Sequence, residues 1–172
     1  MDPDHVAIVM FSMTLGGMVG VISRSGGTRG IVDKITQYAN HRNGGMLTSW
    51  ALGILVFFDD YANTLIVGNT MRPFTDKLKI AREKLAYIVD STAAPVASIF
   101  PISTWVGFQI ALIASVFASQ GIKQDAYLFF IESIPYASYS VLCMLFVGML
   151  GITLRDFGPM LKAEKRAVES GK

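Results

Sequence analysis

Two acidic residues side by side inside an apolar run are the clearest chemical feature of the chain. Asp59 and Asp60 open the string DDYANT, between MLTSWALGILVFF and LIVGNT. In helical geometry Asp59 and Asn63 share a face at i, i+4, and so do Asp60 and Thr64. Two carboxylates this close in a low dielectric cannot both hold a charge cheaply, so the pair is suited to trading a proton for a metal cation. Small hard cations take oxygen ligands, which carboxylates, an amide and backbone carbonyls supply. Asp59, Asp60, Asn63 and Thr64 are therefore candidate cation or proton ligands. The plainer alternative is a water-exposed turn; acids inside a membrane default to function, which favours the first reading.

A second constellation is Asp90-Ser91-Thr92-Ala93-Ala94-Pro95, with Ser103 and Thr104 following Pro101. Unwound segments of transporters present carbonyls and half-helix ends at the membrane midplane, where they bind sodium or anionic groups. Asp90, Ser91, Thr92, Ser103 and Thr104 are candidates on that ground, and Asp90 joins Asp59, Asp60 and Asn63 as a candidate Na⁺ ligand. The alternative is a proline-kinked helix whose hydroxyls bond back to its own carbonyls. Glu132, near the outer end of YLFFIESIPY, reads as an interfacial acid among belt aromatics. Cys143 is the only cysteine and reads as an inert buried thiol, and His5 and His41 have no partners at metal-ligand spacing. No resident cofactor is expected.

The elements that must position these groups follow from the distribution of charge. Of 172 residues, 52% are apolar and only 16% charged, against roughly 25% charged in a soluble domain. Mean hydropathy is +0.45. Disorder, a disulfide scaffold and a nucleic-acid-binding tail are excluded, and a membrane protein is indicated. The 15 basic residues fall in blocks over Arg24–Arg42, Arg72–Lys84 and Arg155–Lys172, with Lys123 alone; none lies within an apolar segment. By the positive-inside rule the three blocks belong on one side and Lys123 on the other.

That rule fixes an expected topology. Residues 6–23 are long enough for one crossing, with Gly16 and Gly20 as a small-residue packing pair. The loop after them carries a short helix over Ile31–Tyr38; its glycines lack the Gly-Lys-Ser/Thr of a phosphate loop. Residues 46–70 lie between two basic blocks, so a full crossing would strand one of them outside. A re-entrant or broken helix with Asp59–Asn63 near its tip returns to the same face. Residues 85–118 are too long for one span of about 20 residues and contain Pro95 and Pro101. They read as a broken helix, with a first part near Leu85–Val89, an unwound middle and a second part near Trp105–Ala118. Residues 127–154 return to the inside, and 155–172 form a cytoplasmic amphipathic tail.

The segment FFDDYANTLIVGNTMRPFTDKLKIAREKLAYIVDSTAAPVASIFPISTW resembles the signature region of the NhaC-type Na⁺/H⁺ antiporters, and GGMVGVISRSGGTRGIV is similar to the glycine-rich segment before it. The ordered run of DDYAN, RP, REKLAY, DSTAAP and STW carries the resemblance. It implies a secondary transporter of the ion-transporter superfamily, built from inverted repeats with re-entrant hairpins and broken helices. Such proteins exchange sodium for protons, and some relatives couple cations to small organic acids or amino acids. By position, Asp59, Asp60 and Asn63 belong to the hairpin and Asp90, Ser91, Thr92, Ser103 and Thr104 to the break. Arg72-Pro73 and Arg82-Glu83-Lys84 match a structural loop. Family members are considerably longer and carry both repeats, so the chain is expected to be part of a longer protein, with further helices before Met1 and after Lys172.

The expected molecule is an all-α polytopic membrane protein of the cell (inner or plasma) membrane, one repeat of an inverted-repeat carrier. Its partners are the lipid bilayer, transported Na⁺ and H⁺, the missing helices of the full-length transporter, and a second copy if two halves make a homodimer; nucleic acid is not among them. The rival functions are a cation-coupled organic-acid or amino-acid antiporter and a non-transporting membrane subunit. An enzyme is not expected, since no Ser/Lys, Ser/His or HExxH set appears.

Overall fold

The computed structural model describes residues 41–170 and, before them, positions 6, 9, 10, 13, 14, 17, 18, 20, 21, 24–27 and 30. The expected crossing over residues 6–23 is thus described at scattered positions only, and the short helix over Ile31–Tyr38 lies outside the described residues. Seven α-helices follow: α1 Arg42–Leu55, α2 Asp60–Lys77, α3 Arg82–Ile99, α4 Thr104–Gln120, α5 Ala126–Ser133, α6 Ser138–Thr153 and α7 Gly158–Ser170. A 3₁₀ turn at Ile134–Tyr136 links α5 to α6. There is no strand among the described residues.

The α1–α2 unit is an antiparallel helical hairpin. A Cβ on Gly45, at the start of α1, would lie 2.5 Å from Leu78, just past the end of α2. At 1.5 Å per residue the arms are about 21 and 27 Å long, short of a hydrocarbon core of about 30 Å. The hairpin exceeds the expected 46–70 at both ends, and its two helices are separated at Val56–Asp59. The break has a local cause. In a continuous helix the carbonyls of Gly53 and Val56 would take the amides of Phe57 and Asp60. The Asn63 side chain takes both instead, Nδ2 donating at 2.5 Å to Gly53 O and at 3.0 Å to Val56 O. Asp59 then restarts the chain as the N-cap of α2, Oδ1 accepting from Ala62 N at 2.9 Å.

The second break falls elsewhere than the sequence suggested. Asp90–Pro95 is not unwound; α3 runs through it to Ile99, and the chain breaks at Phe100–Ser103. Each proline frees the carbonyl four residues before it, and the two freed carbonyls meet different fates. Pro95 frees Ser91 O, which receives the Cys143 thiol of α6 at 3.6 Å, and the helix continues. Pro101 frees Ala97 O, which receives Ser103 Oγ at 2.5 Å; the same Ser103 oxygen accepts from Val106 N and caps α4. Stop and restart are built from one residue. The expected span over 127–154 is likewise divided, at Pro135, into α5 and α6.

Helices α1, α2, α3 and α6 pack as the body of the fold. Leu52, Val67, Met71, Leu85 and Val89 join the first three, and Met46, Ile80, Ile88 and Val147 join α1, α3 and α6. Close approach depends on glycine at one crossing above all: a Cβ on Gly53 would lie 2.0 Å from Thr92 Oγ1 and 2.6 Å from Thr92 Cβ. Gly53→Ala is therefore expected to push α1 off α3 and cost about 1–3 kcal/mol, read as a fall in melting temperature; an unchanged melting temperature would contradict the packing.

Helix α4 buries only Val106, and Phe108, Leu112 and Val116 stand exposed on it, as Leu142, Leu145 and Met149 do on α6. The stretches Arg82–Gln120 and Ser138–Ser170 each contain a window apolar enough to cross a membrane.

A residue from each of the three basic blocks reaches one end of the body. Arg42, opening α1, pairs with Glu164 of α7. The other Glu164 oxygen accepts the Ala81 amide at the N-terminus of α3 at 2.9 Å, and Ala81 packs against Ala163 and Ala167. Lys84 Nζ meets Asp156 Oδ2 at 2.7 Å, both side chains buried. The expected tail is thus a docked helix. Arg82 grips Asp76 with two hydrogen bonds, at 3.0 and 3.1 Å, and these hold the Asp76 carboxyl below its usual pKa.

Candidate functional site

The two helix breaks meet. Phe57 and Phe100 stack with ring centroids 3.8 Å apart. Thr104 N donates to Phe58 O at 3.0 Å, and Thr104 Oγ1 donates to Asp59 Oδ2 at 3.2 Å. The N-termini of α2 and α4 therefore converge on Asp59, and their positive ends favour its negative charge. Both Asp59 oxygens have donors, which makes it the clasp between the breaks.

Asp60 and Asn63 differ from Asp59 in this respect. They sit one turn apart on α2, and each keeps a buried oxygen, Asp60 Oδ1 and Asn63 Oδ1, with no donor among the described residues. Asn63 is fully buried. Its amide orientation is fixed by chemistry, because a nitrogen must face the two carbonyls of α1 and the oxygen must then point the other way. A buried acceptor without a donor costs about 1–3 kcal/mol. A proton or a small cation would satisfy either acceptor. Thr64 Oγ1 is turned to its own helix, donating to Asp60 O at 3.0 Å.

The crossing thus unites Asp59, Asp60, Asn63, Ser103 and Thr104 from the two constellations. It does not include Asp90 or Ser91, which lie within the continuous α3, and Thr92 of the same helix meets it only through Gly53. Thr92 Oγ1 bonds back to Ile88 O and Val89 O, at 2.8 and 3.2 Å, and supports Gly53. Ser91 contributes the carbonyl held by Cys143. Asp90 is exposed and, with Thr64, Gly68, Arg72, Arg82 and Val89, lines a groove of about 450 Å³ between α2 and α3. Among the described residues no three Asp, Glu, His or Cys side chains gather as a metal cluster. A cation at the crossing would rest on one or two carboxylates and neutral oxygens.

Sequence reasoning missed Gly53, whose carbonyl and Cα face hold the hairpin break together; a lone glycine ten residues before an asparagine gave no readable signal. The position of the Cys143 thiol opposite a proline on another helix is not deducible from spacing. Glu132 is exposed on α5, away from the crossing.

The chain matches the family described as "Na+/H+ antiporter family" over residues 4–104 and 96–172. A protein of Haemophilus influenzae described as uncharacterized is 33% identical over 170 residues, an alignment that covers 96% of this chain and 32% of the relative. The chain thus spans about a third of the length of that relative. No solved structure matches it.

Proposed function

The chain belongs to the Na⁺/H⁺ antiporter family, a family of membrane transporters rather than enzymes, and from that membership we propose that it supplies one repeat, with its cation site, of an NhaC-type sodium/proton antiporter in the cell membrane. The α1–α2 hairpin is re-entrant, entering and leaving on the cytoplasmic side where its basic ends lie. The crossed breaks then sit at membrane depth, where irregular backbone requires burial or a wet cavity. Na⁺ and H⁺ compete for Asp60, with Asn63 Oδ1 as the neutral ligand and Asp59 as the positioning residue. Alternating access exposes Asp60 to one side and then the other, and the remaining length of the full protein contributes the second repeat.

One observation carries this reading: beside the meeting of two helix breaks, α2 holds two buried acceptors, Asp60 Oδ1 and Asn63 Oδ1, that have no donor among the described residues. The test uses the full-length protein in proteoliposomes. An imposed sodium gradient should drive proton movement in the opposite sense, and a protein-dependent flux no greater than in empty vesicles would overturn the proposal.

A second reading, cation-coupled exchange of an organic acid or amino acid, draws on the groove between α2 and α3, where Arg72 and Arg82 share walls with Asp90. It predicts that proton flux requires the organic substrate on one side. Flux with sodium alone favours the first reading.

A further inference from the structure

At the basic end of the body, the α3–α6 face carries a pocket unrelated to the crossed breaks. It measures about 300 Å³ and is walled by Tyr87 and Ile88 of α3, Phe146 and Leu150 of α6, and Phe157 and Met160 at the entry to α7. That volume lies at the small end of ligand pockets, about 300–1,000 Å³. Its one polar wall is the Lys84–Asp156 pair. Lys84 is 1% exposed. Its ammonium has three donors and spends one on Asp156, with no second acceptor among the described residues. The pocket lies on two stretches that each contain a window apolar enough to cross a membrane.

Charge supplies the second half of the recognition. The acids beside the pocket are already neutralised within the fold, Asp156 by Lys84 and Glu164 by Arg42. Arg155, adjacent to Asp156, and Lys162, one turn beyond Pro159, are exposed and make no ion pair among the described residues. Both lie within two residues of a lining residue, Asp156 or Met160, so the unpaired charge beside the pocket is cationic. We infer that this pocket binds an anionic phospholipid of the cytoplasmic leaflet. An acyl chain lies between Tyr87, Phe146 and Leu150, and the phosphate is met by the spare Lys84 donors and by Arg155 and Lys162. The segment linking α6 to α7 would then be seated by lipid as well as by its ion pairs. This inference rests on the membrane orientation given above but not on transport.

The test is lipid retention by the full-length protein, delipidated in detergent and offered phosphatidylglycerol or phosphatidylcholine with identical acyl chains. Native mass spectrometry should show phosphatidylglycerol retained about tenfold or more over phosphatidylcholine, as two surface cations would provide, with a higher melting temperature. The double variant Arg155→Gln/Lys162→Gln should lose the preference, and Leu150→Trp should lose retention. Equal retention of both lipids by the unaltered protein, undiminished preference in the double variant, or palmitate retained in place of phosphatidylglycerol would overturn the inference. Arg155 and Lys162 are exposed, so the double variant decides the matter even if Leu150→Trp unfolds. None of these readouts requires sodium/proton exchange, so failure here and failure of the antiport proposal are separable.

Discussion

Asp60→Asn in the full-length protein is expected to reduce sodium-driven proton flux to the background of empty vesicles, while Asp59→Asn retains most of it. The difference comes from what each oxygen does. Asp59 Oδ1 accepts the Ala62 amide and Oδ2 accepts the Thr104 hydroxyl. Asparagine is as good an N-cap as aspartate, and the Thr104 hydroxyl can rotate to accept from the new amide. Asp60 Oδ1 is buried with no donor among the described residues, and an amide there can neither release a proton nor neutralise a sodium ion. Asp59→Ala would remove cap and clasp together, costing about 0.5–2 kcal/mol for the cap alone. Proton flux in proteoliposomes, scored beside the melting temperature, separates lost chemistry from lost fold. Equal loss in the two asparagine variants would contradict the division of roles.

The largest effect on stability is expected at the opposite end of the body. Asp156→Ala leaves the Lys84 ammonium, 1% exposed, without its carboxylate 2.7 Å away. Removing one partner of a buried pair costs about 3–5 kcal/mol, whereas replacing both with apolar groups of similar volume is often neutral. Asp156→Ala should fall near the lower figure, since a lysine close to a helix start can turn its stem toward water. Lys84→Met/Asp156→Leu should recover most of the loss. Thermal unfolding of the full-length protein in detergent reads both, and an unchanged melting temperature for Asp156→Ala would show that the pair is not buried in the assembled protein.

The sequence was informative where chemistry and periodicity pointed the same way. Segregated basic residues implied that the ends of the hairpin share a side, and Arg42, Lys84 and Arg166 do reach one end. An acidic pair inside an apolar run marked a tip, and Asp59 caps the second arm. Prolines were misleading, because a proline breaks a helix only where the freed carbonyl and the following residues favour stopping. Pro95 and Pro101 look alike in sequence, yet the donor for Ser91 O is 52 residues away on α6 and that for Ala97 O is 6 residues away. A distant donor cannot be read from local spacing. The same holds for Asp156 and Glu164, whose partners Lys84 and Arg42 lie 72 and 122 residues earlier; in sequence they are ordinary charges of an amphipathic tail.

The residues at the crossed breaks were legible singly but not in their roles. Asp59 and Asp60 are equivalent on paper, and only the donors around Asp59 set its clasping role apart from Asp60. Ser103 and Thr104 were candidates for binding ions, and they cap α4 and tie it to the hairpin. A hydroxyl beside a helix start has a backbone partner at hand, and that claim on it precedes any ligand.

The central claim, that Asp60 carries the exchangeable proton and yields it to sodium, is tested most directly by proton release. Sodium chloride is added to the full-length protein in weakly buffered detergent solution, with choline chloride as the control for ionic strength. A site at Asp60 predicts a sodium-specific release of protons that persists in Asp59→Asn and vanishes in Asp60→Asn. Undiminished release from Asp60→Asn would contradict it.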